Sequence, residues 1–162
     1  MKVNLGCGRT PAEGYVNVDP FFPNNESIVC KDAADFLDGC HEGSIDEIRM
    51  IHVLEHMTMK QGVRLFGSMM RPLKVGGVLI MECPDIEGAM RLFLEFGPDP
   101  WIHSLYGGQK RLGDTHQWGY TQGSLRSLAE TSGLIVDSIG PGIGGAGIRN
   151  KSACVRMIAR KP

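Results

Sequence analysis

The chain has 162 residues, 42% hydrophobic and 22% charged, with 17 Lys and Arg against 18 Asp and Glu for a net charge of −1. That length suits one ordinary domain, and that composition excludes disordered, collagenous and fibrous classes. The charge balance supplies no field strong enough to grip nucleic acid or an anionic membrane, so neither is an expected partner.

No apolar run approaches the ~18–20 residues of a membrane helix. The first residues reach Gly6 too soon to hold the apolar core of a signal peptide, so the expected location is cytoplasmic. Cys7, Cys30, Cys40, Cys83 and Cys154 are irregularly spaced with no C-x-x-C pair, which fits reduced thiols better than a disulfide framework or a zinc knuckle. The 22 glycines and nine prolines are spread along the chain and imply many tight turns.

In chain order, β-like runs come first: Lys2 to Leu5, Tyr15 to Val18, Ser27 to Lys31, Ile45 to Ile51 and Gly77 to Glu82. Several are dense in Val and Ile, as strands buried on both faces of a parallel sheet would be. Thr58 to Gln61 has the form of a capping box, opening a helix with Met59, Val63, Phe66 and Met70 inward until Pro72. Asp85 is placed to cap a second, with Ile86, Met90, Phe93 and Leu94 on one side and Gly97-Pro98 as the stop. Thr121 opens a third, with Leu125, Leu128 and Ala129 inward and Gly133 at its end. The runs Leu134 to Ile139 and Cys154 to Arg160 read as strands joined by a glycine-rich turn. Strands alternating with helices predict one α/β domain over residues 1–162. Residues 97–120 break the alternation; with both tryptophans, His103 and His116, they read either as a surface excursion or as a substrate-facing flap.

Asn4-Leu5-Gly6-Cys7-Gly8 follows the first strand. A dinucleotide fingerprint would place a third glycine where Pro11 stands, which weakens a nicotinamide reading. Asp19 ends the next run, where a carboxylate accepts both hydroxyls of a ribose, and Asp32-Ala33 end the third, placed to meet an adenine edge. In parallel sheets ligands bind at the carboxyl ends of strands, and these three features lie there in succession.

Those segments, with Gly14 to Asp19, Lys31 to Asp35, Ser44 to Ile48, His52 to His56 and Arg71 to Gly77 through Pro84-Asp85, resemble the ordered motifs of Rossmann-like S-adenosylmethionine-dependent methyltransferases. The resemblance runs from residue 3 to about 85 and is weaker at His116 to Gly133 and the last strand. It implies a mostly parallel seven-stranded sheet with the last strand antiparallel. It also implies S-adenosylmethionine as cofactor: Asn4, Leu5, Gly6, Cys7 and Gly8 around its methionine and ribose, Asp19 on the ribose diol, Asp32 and Ala33 at the adenine, and His52 beside it.

One departure stands out. Only Gly6 to Gly14 separate the first two strands and Pro20 to Glu26 the next two, shorter than the ~10–12 residues of a parallel crossover. The first two helices must then be clipped to turns, as in a small trimmed branch of the family, and the bare sheet face raises the expectation of a homodimer.

His52 to His56 also spell H-x-x-E-H, the inverted zinc-peptidase signature, which needs both histidines on one helical face. His52 follows an apolar strand, so that geometry is expected to fail, and no bound metal is expected. The reading is a methyltransferase acting on a small-molecule or glycan-type acceptor, with His116, placed just before a helix, as the general base for a hydroxyl. A cofactor-binding module without turnover and a nicotinamide oxidoreductase are the alternatives.

Overall fold

Val3, Leu5, Ile48, Met50, Leu79 and Met81 alternate with other residues along their runs, and all six are fully buried. Strand register explains why. Val3 lies beside Ile48 and Ile48 beside Leu79, while Leu5, Met50 and Met81 form the next row, so all share one face of a sheet. The computed structural model describes residues 1–99, 101–143 and 153–162. Its seven strands are β1 (Lys2–Leu5), β2 (Val16–Val18), β3 (Ile28–Val29), β4 (Ile45–Ile51), β5 (Leu73–Pro84), β6 (Ile135–Pro141) and β7 (Cys154–Arg160). They are ordered β3-β2-β1-β4-β5-β7-β6. β3, β2, β1, β4 and β5 pair parallel, and β7 runs antiparallel between β5 and β6, as the sequence implies.

Three helices cover the apolar face: α1 (Ala33–Asp38), α2 (Met59–Met70) and α5 (Gln122–Thr131). They add Ala33, Ala34, Leu37, Leu65, Phe66, Met69, Leu125 and Ala129 to the core. Each large side chain buried there contributes about 1.5–3 kcal/mol. The Thr58–Gln61 capping box is present as read, and Thr121, read as a helix start, forms a second with Ser124. The helix expected after Asp85 is α3 (Ile86–Phe96), capped by that aspartate. Neither α1 nor the short α4 (Ile102–Tyr106) is among the expected helices. The glycine-rich turn expected between β6 and β7 falls largely on residues 144–152, outside the described residues.

Two inward faces differ from expectation. In α2 the buried residues are Gly62, Leu65, Phe66 and Met69, while Met59 and Val63 are exposed. The cause is a close approach at Gly62, where a Cβ would lie 2.6 Å from the Tyr120 hydroxyl. In α3 the small residues Gly88 and Ala89 turn inward with Leu92, leaving Met90 exposed and Leu94 85% exposed.

The expectation of strands buried on both faces also fails. Along β4, Asp46 and Arg49 are exposed between buried Ile45, Ile48 and Met50. Residues 6–15 and 19–27 form turns without a helix, the clipping read from the sequence, so the first two crossovers lay no helix on this side of β1, β2 and β4. Polar contacts occupy it instead: Lys2 pairs with Glu47 at 3.2 Å, Tyr15 hydrogen-bonds Glu47, and Asn4 donates to Asn17 at 2.9 Å. This face presents ions and amides where an apolar interface would need aliphatic side chains.

Candidate functional site

The loop after β1 is held to the end of β2 by backbone and carboxylate together. Gly6 and Cys7 N–H groups both donate to Val18 O, at 2.8 and 3.3 Å. Gly8 N–H donates to Asp19 Oδ2 at 2.9 Å, and Phe21 N–H to Asp19 Oδ1 at 3.0 Å. Asp19 is 6% exposed, and each oxygen keeps a lone pair beyond these bonds, so it can still accept from a diol. Gly6 and Gly8 have φ of +64° and +59°, a region that L side chains rarely adopt. They differ in surroundings. A Cβ on Gly6 would lie 2.3 Å from Val53 Cγ2, whereas one on Gly8 meets nothing within 4 Å. Gly6 thus packs the loop against the chain after β4, and Gly8 faces open space beside Asp19.

The other cofactor candidates divide. Leu5 is fully buried in the core and offers the site only its backbone, and the Asn4 side chain ties β1 to β2 through Asn17. Asp32 caps α1, its Oδ1 accepting from Ala34 N–H at 2.9 Å and Asp35 N–H at 3.3 Å. The Ala33 methyl belongs to the core. Asp32 and Ala34 also border a recess whose wall includes Met57 and Leu65.

At the end of β4, His52 takes φ of +55°, uncommon for a residue with a Cβ. Its N–H donates to Glu82 O at 2.8 Å. Its Nδ1 lies 3.2 Å from Glu55 Oε1, and its Nε2 lies 3.6 Å from Glu82 Oε1. Both carboxylates are 2% exposed. Burial pulls the His52 pKa down, but the hydrogen bond and charge of Glu55 and the charge of Glu82 outweigh it and leave the pKa raised. Glu82 is further held by Arg156 at 3.3 Å and by Ile143 N–H at 3.0 Å. Leu54–His56 form one 3₁₀ turn. The histidines of H-x-x-E-H therefore sit on a strand end and a turn, not on one α-helical face, as expected.

His116 comes to this cluster from the other direction. Gln117 and Trp118 N–H groups donate to Glu55 O at 2.8 and 3.3 Å, and Gln117 Nε2 donates to His56 O at 2.6 Å. The rings of His56 and His116 meet edge to face with centroids 4.9 Å apart. Burial lowers the pKa of His116, keeping it neutral. Sequence reasoning passed over Asn17, Glu55 and Glu82 as site-forming groups. Asn17 braces the β1–β2 turn through Ala12 and Tyr15, and Glu82 carried a visible signal, a carboxylate closing an apolar run.

Burial pushes the Cys7 thiol up to about 11, with the Asp19 carboxylate adding to it, so little thiolate exists at neutral pH. Cys83 and Cys154 are buried, and Cys30 is exposed. Alkylation at pH 7 followed by peptide mass spectrometry is expected to label Cys30 at least about tenfold faster than Cys7, Cys83 or Cys154. Equal labelling of Cys7 would contradict the packing of the loop.

No protein-family model matches the sequence, and no curated protein does. Solved structures do match over 99% of the chain. A SAM-dependent methyltransferase from Archaeoglobus fulgidus aligns with a TM-score of 0.67 at 15% identity over 85% of its own length. One from Methanosarcina mazei aligns at 0.66, with 16% identity over 91% of its length. The 1,6-didemethyltoxoflavin-N1-methyltransferase of Burkholderia thailandensis, solved with bound 1,6-didemethyltoxoflavin and S-adenosylhomocysteine, aligns at 0.65, with 14% identity over 70% of its length. The strand order, the antiparallel β7 and these alignments agree: the chain has the Rossmann-like fold of S-adenosylmethionine-dependent methyltransferases.

Proposed function

We propose that the chain binds S-adenosylmethionine at the ends of β1, β2 and β4 and is a methyltransferase for a small-molecule or sugar-type acceptor. The observation that carries this reading is the buried Asp19 carboxylate, which grips Gly8 at 2.9 Å and keeps acceptor capacity beside the open space in front of that glycine. A ribose diol fits such a group, because both hydroxyls donate to one charged acceptor. In this reading Asp32, which borders a recess, meets the adenine, and Cys7, Gly8 and His52 meet the methionine end.

The cofactor supplies a methyl group on a positively charged sulfur, so the protein's part is alignment and exclusion of water. His52, between Glu55 and Glu82, fixes the turn after β4 in the geometry that receives the Gly6 loop. His116 is the base in this reading. Its Nδ1 meets Ser104 O at 3.0 Å, leaving Nε2 to take a proton from an acceptor hydroxyl.

Calorimetric titration with S-adenosylmethionine and with S-adenosylhomocysteine tests the proposal. One equivalent of each is expected at micromolar affinity, with NADH giving no heat. Failure of both sulfur ligands to bind the folded chain would overturn it.

A further inference from the structure

We propose that Glu55, His56 and His116 form a binding site for a divalent transition-metal cation of the zinc class. One ligand-capable atom from each lies within 4.8 Å of the others. Zinc–nitrogen arms of ~2.0–2.1 Å set tetrahedral edges of about 3.3 Å, so closure on a cation takes side-chain adjustment of about 1 Å.

Three further observations give the cluster the character of a built site. The first is the state of the two imidazoles. His56 Nδ1 lies 3.3 Å from Thr115 O and His116 Nδ1 lies 3.0 Å from Ser104 O. A carbonyl accepts only, so each Nδ1 carries a proton and Nε2 is the ring nitrogen left to coordinate a metal; tying the other nitrogen to a carbonyl is how metal-ligating histidines are oriented. The second is Glu55. Its Oε1 is engaged by His52, while its Oε2 is buried and has no hydrogen-bond partner among the described residues. A carboxyl oxygen shut away from water without a partner is costly, and a cation satisfies it. The third is bracing: the bonds from Gln117 and Trp118 to Glu55 O and from Gln117 to His56 O fix the segment bearing His116 against the turn bearing its partners.

Two imidazoles and one carboxylate suit a borderline ion with a coordination position left open, rather than calcium or magnesium, which prefer all-oxygen shells. The sequence expectation of no metal considered His52 and His56 as the pair; the fold instead pairs His56 with His116. The neighbouring trio of His52, Glu82 and Cys154 carries no such proposal. Glu82 is already held by Arg156, and burial pushes the Cys154 thiol up to about 12. The inference stands on the Glu55 cluster alone, not on the cofactor reading. A metal on Nε2 of His116 takes the lone pair that a base needs, so His116 serves as base only in the metal-free chain.

The test is titration of the chelator-treated full chain with Zn²⁺ by calorimetry and with Co²⁺ by visible absorption. One equivalent is expected, with the intense visible bands of a low-coordinate Co²⁺ site. His56→Asn and His116→Asn place an amide donor where Nδ1 was, so the contact to the carbonyl is kept while Nε2 is lost. Each is expected to weaken binding by about 100-fold or more with little change in melting temperature, exceeding the ~10–100-fold typical of an outer-shell loss. Glu55→Gln should weaken it likewise, and if that buried variant fails to fold, the two asparagine variants decide. His41→Asn and Cys30→Ser, at exposed positions, should bind as the parent does. Absence of binding, or binding unchanged in His116→Asn, overturns the proposal, and so does binding lost in Cys30→Ser. S-adenosylmethionine affinity of the metal-free chain is read separately, so either result leaves the other standing.

Discussion

Gly6→Ala is expected to lower the melting temperature by roughly 5–15 °C. Two costs combine. Holding a residue with a Cβ at φ of +64° costs about 1–2 kcal/mol, and a methyl placed 2.3 Å from Val53 Cγ2 forces an overpacking shift worth about 1–3 kcal/mol. For a domain of this size each kcal/mol moves the midpoint by ~2–4 °C. Gly8→Ala is the matched control. Its φ is similar, but no atom lies within 4 Å of the added carbon, so only the first cost applies and the fall should be half as large or less. Its effect should show instead in cofactor affinity, because the methyl enters the open space beside Asp19. Thermal denaturation of the two variants separates these effects. Equal midpoints would mean that the loop does not pack on Val53 in solution.

Asp19→Ala should cost S-adenosylmethionine binding about 1.5–3 kcal/mol, or ~10–100-fold in affinity. The carboxylate has two jobs, which Asp19→Asn pulls apart. Asparagine keeps one acceptor oxygen for Gly8 or Phe21 but has no charge for a diol, so it should hold the loop better than alanine while binding cofactor almost as poorly. Calorimetry supplies the affinities and amide exchange at residues 6–8 the loop order. An unchanged dissociation constant in Asp19→Ala would remove the ribose assignment.

The architecture was legible because its signals are local. The apolar run Ile45 to Ile51 marks β4, Thr58 with Gln61 marks the start of α2, and the order of the strand-end motifs implies the sheet. The inward faces of α2 and α3 were not legible, since they follow from Gly62 under Tyr120 and from the small pair Gly88 and Ala89, close approaches that pattern counting scores as neutral. The helix-free sheet face was half legible. The short crossovers were plain, but that Lys2, Glu47 and Arg49 line up on one side emerges only from register. At the proposed site, the candidates Gly6, Cys7, Gly8 and Asp19 were picked out by their places at successive strand ends. The joining of His116 to His56 and Glu55 depends on backbone pairing across some sixty positions, between Gln117 and Glu55, and no local pattern encodes it.

The clipped crossovers also bear on the order in which the sheet can assemble. Loop-closure entropy rises with the length of chain between partners, by about 0.6 kcal/mol per doubling. Val3 finds Val16 and Asn17 finds Ile28 across short turns, whereas Pro84 must wait for Cys154. During synthesis the edge bearing Asp19 and the glycine loop emerges whole before the antiparallel partner of β5 exists. The rim bearing the proposed cofactor site is thus the least entropically demanding part of this sheet to close, and the distant β5–β7 pairing is the step on which completion depends.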